Sequence, residues 1–281
     1  RVSVLDLLKG IIIQSGNDAT VALAEYVGGT EDGFVDLMNS YAASMGLSNT
    51  LFQNSTGLPD GNHFSSAKDL AIMTSLLINN FPETYSLYKE KYYTFNNIKQ
   101  PNRNRLLWKD SSSDGVKTGH TESAGYCLIS SAKRNDMRLI AVVAGAKSDK
   151  ERFNDTQRLL EYGFRFYSTQ EVIKKDNALK DVDVWGGKKN LVSLGAENNI
   201  KLTLPRTTFK NITISYDFQN NLRAPIKEGQ TLGALVIKDG EKTLHTENLV
   251  ALNDVEAKGF FGRLWASLVL WFRGLFGLGD A

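Results

Sequence analysis

Three strand-like segments in close succession limit the fold of this chain more than any other feature. Residues 114–121, 125–132 and 137–144 read as successive strands, and the third is a strongly apolar run. Arg134-Asn135-Asp136 makes the turn into the last of them. Links this short join antiparallel neighbours, because a parallel pair needs a crossover of a dozen or more residues. The expected centre is a compact antiparallel sheet.

The sequence around it is helical. Val4, Leu5, Leu7, Leu8, Ile11 and Ile12 share one face at helical spacing, with Ser3 as N-cap and Ser15 delivered to the helix end. Residues 18–26 form an Ala-rich helix closed by Gly28-Gly29. Phe34, Val35, Leu37, Met38 and Tyr41 mark another, closed near Gly46. Turn residues make 54–61 a loop, and Ser66-Ala67-Lys68-Asp69 has the spacing of a capping box that opens an apolar helix through Leu77. Residues 92–108 mix short strands with a loop. Residues 151–167 return to helix, with Leu159, Leu160, Phe164 and Phe166 as core candidates. Helices on an antiparallel sheet give an α+β domain over 1–168.

The texture then changes. Alternating segments such as 199–204 and 212–216, separated by turns at 228–230 and 238–240, predict a small all-β domain over 169–252. A polar linker, 253–258, leads to a tail over 259–277. On a helical wheel, Phe261, Leu264, Trp265, Leu268, Trp271, Phe272, Leu275 and Phe276 cover one side, while Arg263, Ser267 and Arg273 lie on the other. A spanning helix needs about 20 mostly apolar residues. Two arginines inside the stretch argue instead for a helix lying in a membrane interface; the alternative is a core or dimer helix.

Composition excludes some classes. A net charge of +2 over 281 residues gives no reason to expect a nucleic-acid partner. Cys127 is the single cysteine, so no intrachain disulfide forms; its neighbours predict a buried strand thiol. His63, His120 and His245 lack ligand spacing, so neither metal nor cofactor is expected. The start at Arg1-Val2-Ser3 reads as part of a longer precursor.

Two motifs carry chemistry. Lys117-Thr118-Gly119 lies in the first strand of the sheet. The lysine supplies fixed positive charge, the threonine a hydroxyl that can hold a carboxylate, and Gly119 lets a substrate backbone lie close. Upstream, Ser15-Gly16-Asn17 makes a Ser-X-Asn turn between two helices. The two motifs in this order resemble two of the three signatures of the penicillin-recognising serine acyl-transferases.

With the helix start at 64–69, the 114–121 strand, Gly163-Phe164-Arg165-Phe166, the β domain and the tail, nearly the whole chain resembles the D-alanyl-D-alanine carboxypeptidases. These are the low-molecular-mass penicillin-binding proteins of types five and six. The resemblance implies a periplasmic enzyme held on the inner membrane by its tail. It implies removal of the terminal D-Ala from peptidoglycan stem peptides through an acyl-enzyme, and acylation by β-lactam antibiotics. It also implies roles. Ser15 relays a proton to the leaving amine, held electrostatically by Lys117; Asn17 offers its amide to the substrate backbone. Thr118 grips the terminal carboxylate and Arg152 makes a second contact to it. The His120 N–H shares the oxyanion hole, its side chain being positional. A homodimer is left open.

The third signature, Ser-X-X-Lys, precedes Ser-X-Asn in that family. Three matches occur here, Ser65 to Lys68, Ser86 to Lys89 and Ser130 to Lys133, all after Ser15. Ser65 and Ser66 suit a helix cap, Ser86 lies in a polar Tyr-rich segment, and Ser130 and Lys133 fall on opposite strand faces. The nucleophile is therefore expected outside these residues, and the residues alone are expected not to turn over substrate. Three alternatives differ in kind. A class A β-lactamase would lack the β domain and tail. A DD-endopeptidase would not demand a free carboxylate at Thr118 and Arg152. A membrane-docked binding module would need no nucleophile.

Overall fold

The computed structural model describes residues 1–218 and 221–259, and beyond those only residue 269. The predicted amphipathic tail, with Phe261, Leu264, Trp265, Leu268, Trp271, Phe272 and Phe276, lies outside the described residues. The chain divides into two units, residues 1–166 and residues 167–281.

The first unit opens with α1 (Val4–Lys9), whose N-cap Ser3 accepts a hydrogen bond from the Asp6 N–H. The helix does not run on regularly. It widens into a π-turn, Gly10–Gln14, with Ile12 and Ile13 buried. Then follow α2 (Asn17–Gly28), α3 (Glu31–Ser44) and α4 (Ala67–Asn80). Ser66 caps α4 by accepting from the Asp69 N–H. Short α5 (Pro82–Tyr85) leads through one 3-10 turn to the hairpin β1 (Tyr92–Phe95) and β2 (Ile98–Pro101). After α6 (Leu106–Lys109) comes the predicted meander: β3 (Ser113–Thr121), β4 (Gly125–Arg134) and β5 (Met137–Ala146), antiparallel in that order. Helix α7 (Asp149–Phe166) closes the unit.

Alternation along β4 directs its two neighbours. Leu128 joins Leu106 and Phe153 of α7 in one buried cluster. Ile129, pointing the other way, borders a cavity with Met73 and Leu77 of α4. The sheet thus has α7 on one face and α4 on the other. One core expectation fails here. Leu160 and Phe164 are buried, but Leu159 is 49% exposed and Phe166 47%. The buried residues 152, 153, 156, 160, 163 and 164 make the inward stripe, and 159 and 166 lie about a quarter of a turn from its centre, just past its edge. Cys127 is half-buried rather than buried.

The second unit carries β6 (Tyr167–Ile173), β7 (Lys180–Trp185), β8 (Leu191–Ala196), β9 (Ile200–Pro205), β10 (Ile212–Phe218), β11 (Leu222–Arg223), β12 (Thr231–Asp239) and β13 (Lys242–Ala251). Six of them form one sheet in the order β10-β12-β13-β8-β7-β11, while β6 pairs with β9. Val192, Leu194, Leu235, Ile237 and Leu249, all fully buried, are its core. The architecture is α+β followed by all-β.

Candidate active site

Among the described residues, strand β3 is an edge strand paired with β4 alone. Lys117 lies opposite Ile129 in the ladder, so its side chain leaves the sheet on the α4 face. Its ammonium donates to the Ser15 hydroxyl oxygen, and also to the Thr118 carbonyl at 3.0 Å. The two predicted motifs therefore meet through their polar groups. Ser15 gets there by an unusual backbone. It ends the π-turn in the left-handed region, φ 59° and ψ 44°, with its N–H bonded to Ile11 O at 3.1 Å. A non-glycine residue in that region marks a strained position, of the kind found at functional sites.

Among the described residues, Lys117 pairs with no carboxylate. It borders an apolar cavity of about 580 Å³ that Tyr41, Met73, Leu77, Tyr88 and Ile129 help to line. Burial pulls its pKa from 10.5 down to about 8, and the positive charges of Arg103 and Arg152 push the same way. The result is a cation close to its titration point, touching a hydroxyl.

The other predicted residues lie on α2, β3 and α7. Asn17 is exposed at the start of α2. Thr118 is buried, and Gly119 and His120 are exposed. The His120 ring lies over Tyr126, its ladder partner, with centroids 3.9 Å apart. Arg152 comes from the first turns of α7 and is nearly buried. Its guanidinium donates to Gly119 O at 3.0 Å and Cys127 O at 3.3 Å, and pairs with Asp149. Gly119 and Cys127 face each other in the ladder, so Arg152 braces the β3–β4 pair from behind. Its Nε is buried without a partner.

Three comparisons with known proteins bear on this geometry. The family model described as D-alanyl-D-alanine carboxypeptidase matches residues 1–148, and the one described as the C-terminal domain of penicillin-binding protein 5 matches residues 167–257. D-alanyl-D-alanine carboxypeptidase DacC of Escherichia coli is 47% identical over 279 residues, covering 99% of this chain and 70% of DacC. The chain belongs to the D-alanyl-D-alanine carboxypeptidase family. Penicillin-binding protein 5 of Haemophilus influenzae has a similar structure, with a TM-score of 0.78 and 43% identity over 91% of this chain and 75% of that one. Penicillin-binding protein D2 of Listeria monocytogenes, in its cefotaxime-bound form, matches 58% of this chain and 67% of its own at a TM-score of 0.55 and 35% identity. Membership makes this a serine-type carboxypeptidase chain.

Two of the three internal Ser-X-X-Lys serines have hydroxyl partners away from the site. The Ser65 hydroxyl is 2.8 Å from that of Thr50, and Ser130, fully buried, donates to Gly115 O at 3.0 Å. Ser86 lies in the 3-10 turn after α5.

Sequence reading missed several residues that shape the site. Arg103 acts on Lys117 through its charge. Asp114, at a bulge in β3, accepts from Tyr85 Oη at 2.9 Å and forms a two-point ion pair with Arg138, both contacts 2.8 Å. Burial and the Asp114 carboxylate both raise the Tyr85 pKa, so the phenol stays a donor. None of these pairs has a local pattern to reveal it.

Proposed function

We propose that Ser15, Lys117, Thr118 and Arg152 form the proton-relay and carboxylate-binding half of a D-alanyl-D-alanine carboxypeptidase site acting on peptidoglycan stem peptides. The attacking serine is assigned to a part of the family's sequence outside these 281 residues, since all three internal Ser-X-X-Lys matches follow Ser15, against the family's order, and the Ser65 and Ser130 hydroxyls bond elsewhere. Its oxygen bonds to the carbonyl carbon of the D-Ala–D-Ala peptide, and the C–N bond breaks. The departing amine takes a proton through Ser15, while Lys117 keeps that hydroxyl oriented and stabilises the anionic oxygen beside it. Water then cleaves the ester and frees the serine. The His120 N–H helps hold the carbonyl oxygen as it gains charge, and the exposed Asn17 amide bonds the substrate backbone.

The free carboxylate of the terminal D-Ala lies against Thr118. Arg152 contributes positive charge there and fixes the strand edge, since its NH groups are already bonded within the protein. A β-lactam carries a carboxylate beside a strained amide and fits the same groups; the cefotaxime-bound relative supports this. The observation that carries the reading is the Lys117–Ser15 contact with its desolvated ammonium. The compartment is read as the periplasm, with residues 259–277 on the inner-membrane face. Among the described residues, no helix is long and apolar enough to cross a membrane.

The test is release of D-Ala from a stem pentapeptide by the full-length protein, compared with Ser15→Ala and Lys117→Ala. Losses of about a hundredfold or more in kcat are expected. Wild-type rates in both variants would remove these residues from the mechanism.

A further inference from the structure

Ser15 and Lys117 lie 102 residues apart, on a π-turn and an edge strand that share no ladder. The segment Pro101-Asn102-Arg103-Asn104 touches both. On one side the Gln14 amide donates to Pro101 O at 2.5 Å, and the Arg103 N–H donates to Ile13 O at 3.3 Å. On the other side the Asn104 amide donates to Gly115 O at 2.9 Å. These contacts fall one or two residues before Ser15 and two residues before Lys117.

The segment is rigid where it makes them. Asn104 is 1% exposed and Asn102 5%. The Asn104 side-chain oxygen accepts from the Leu106 N–H at 3.1 Å, which orients its amide toward Gly115. The Asn102 oxygen accepts from the Asn104 N–H at 2.9 Å, and the Asn102 amide donates to Glu90 O at 2.9 Å. Gly115 O also accepts from the Ser130 hydroxyl at 3.0 Å and, at 3.4 Å, from that of Ser113, so its position is fixed from several directions. A buried amide bonded through both its nitrogen and its oxygen holds its place, because rotating it would leave buried polar groups unpaired.

We infer that Asn104 is a positioning residue for the reaction: with Gln14 it forms a bracket that sets the separation of the Ser15 hydroxyl and the Lys117 ammonium. The inference rests on the proposed roles of Ser15 and Lys117. Displacement of a catalytic pair by about 1 Å costs on the order of a hundredfold in rate, so partial slackening is expected to cost about tenfold. The carboxylate end of the site, at Thr118 and Arg152, has its own bonds and keeps its affinity.

The experiment measures kcat and KM for D-Ala release, and the rate of acylation by a fluorescent penicillin, in the full-length protein. Asn104→Ala is expected to lower kcat about tenfold and leave KM within about twofold. In a Lys117→Ala background, Asn104→Ala is expected to change the acylation rate no further, because the pair it positions is gone. Gln14→Met, at the more accessible arm, is expected to show the same pattern at about threefold. It decides the matter if Asn104→Ala does not fold. Equal losses in both backgrounds, a KM that rises as kcat falls, or an unchanged kcat would overturn the inference. If Lys117→Ala itself acylates at the wild-type rate, the underlying reading of the site fails as well.

Discussion

The Lys117 ammonium, at the border of a largely apolar cavity, donates to the Ser15 hydroxyl, and among the described residues no carboxylate balances it. A charge held this way is useful and costly at once. It is strong on a nearby oxygen because little water screens it, and it gives up its proton more readily than a surface lysine.

The pH dependence of acylation follows. With Lys117 titrating near 8 and acting as a cation, the rate should fall as pH rises through that value. Arg103 repels the ammonium, so Arg103→Gln should move this alkaline limb upward. Stopped-flow acylation between pH 6 and 10 reads both. A limb that stays put or moves down in Arg103→Gln would show that its charge does not reach Lys117.

The same burial predicts a stability cost. A folded pKa of about 8 against 10.5 means the unfolded chain binds the extra proton between those values, so stability rises with pH across that window. Below pH 8 the full cost is present, on the order of 3 kcal/mol. Lys117→Met should therefore be more stable at pH 7 by about 1–3 kcal/mol, with the gain gone above the unfolded value. Urea denaturation at pH 7 and at pH 11 measures the difference.

Gly115 is wedged against an aromatic pair. A Cβ there would lie 2.6 Å from Tyr85 Oη and 3.3 Å from Tyr88 Cβ. Gly115→Ala should destabilise by about 1–3 kcal/mol, the usual cost of overpacking. Adding Tyr85→Phe, which deletes the nearest atom, should recover part of that loss. Chemical denaturation of the two single variants and the double variant reads the coupling.

Asp114 should matter for the fold more than its half-exposed position suggests. Its two-point pair with Arg138 spans from β3 across β4 to β5, and Arg138 also donates to Ser131 at 2.6 Å on the strand between. Asp114→Asn removes the charge from both bonds and should cost about 2 kcal/mol. Thermal denaturation at neutral pH checks it.

What the sequence disclosed and what it hid follow from range. Ser3 and Ser66 cap helices through atoms three residues away, so a local pattern reveals them. Strands β3 to β5 announce themselves by period and turn residues. The Lys117–Ser15 meeting was readable only because each half carries a motif. Asn104 to Gly115, Tyr85 to Asp114 and Asp114 to Arg138 are 11, 29 and 24 residues apart, with nothing in either local stretch to mark the pairing. The π-turn that carries Ser15 breaks the regular period that the apolar spacing suggested. On α7, aromatic character made Phe166 look like core, whereas the 3.6-residue period puts it on the outer side.

The most direct test of the central claim is the acylation rate of full-length Lys117→Ala with benzylpenicillin, followed by intact-protein mass. The account predicts a single covalent adduct in the wild-type protein and formation at least about a hundredfold slower in the variant. Adduct formation at the wild-type rate in a folded Lys117→Ala protein would contradict it.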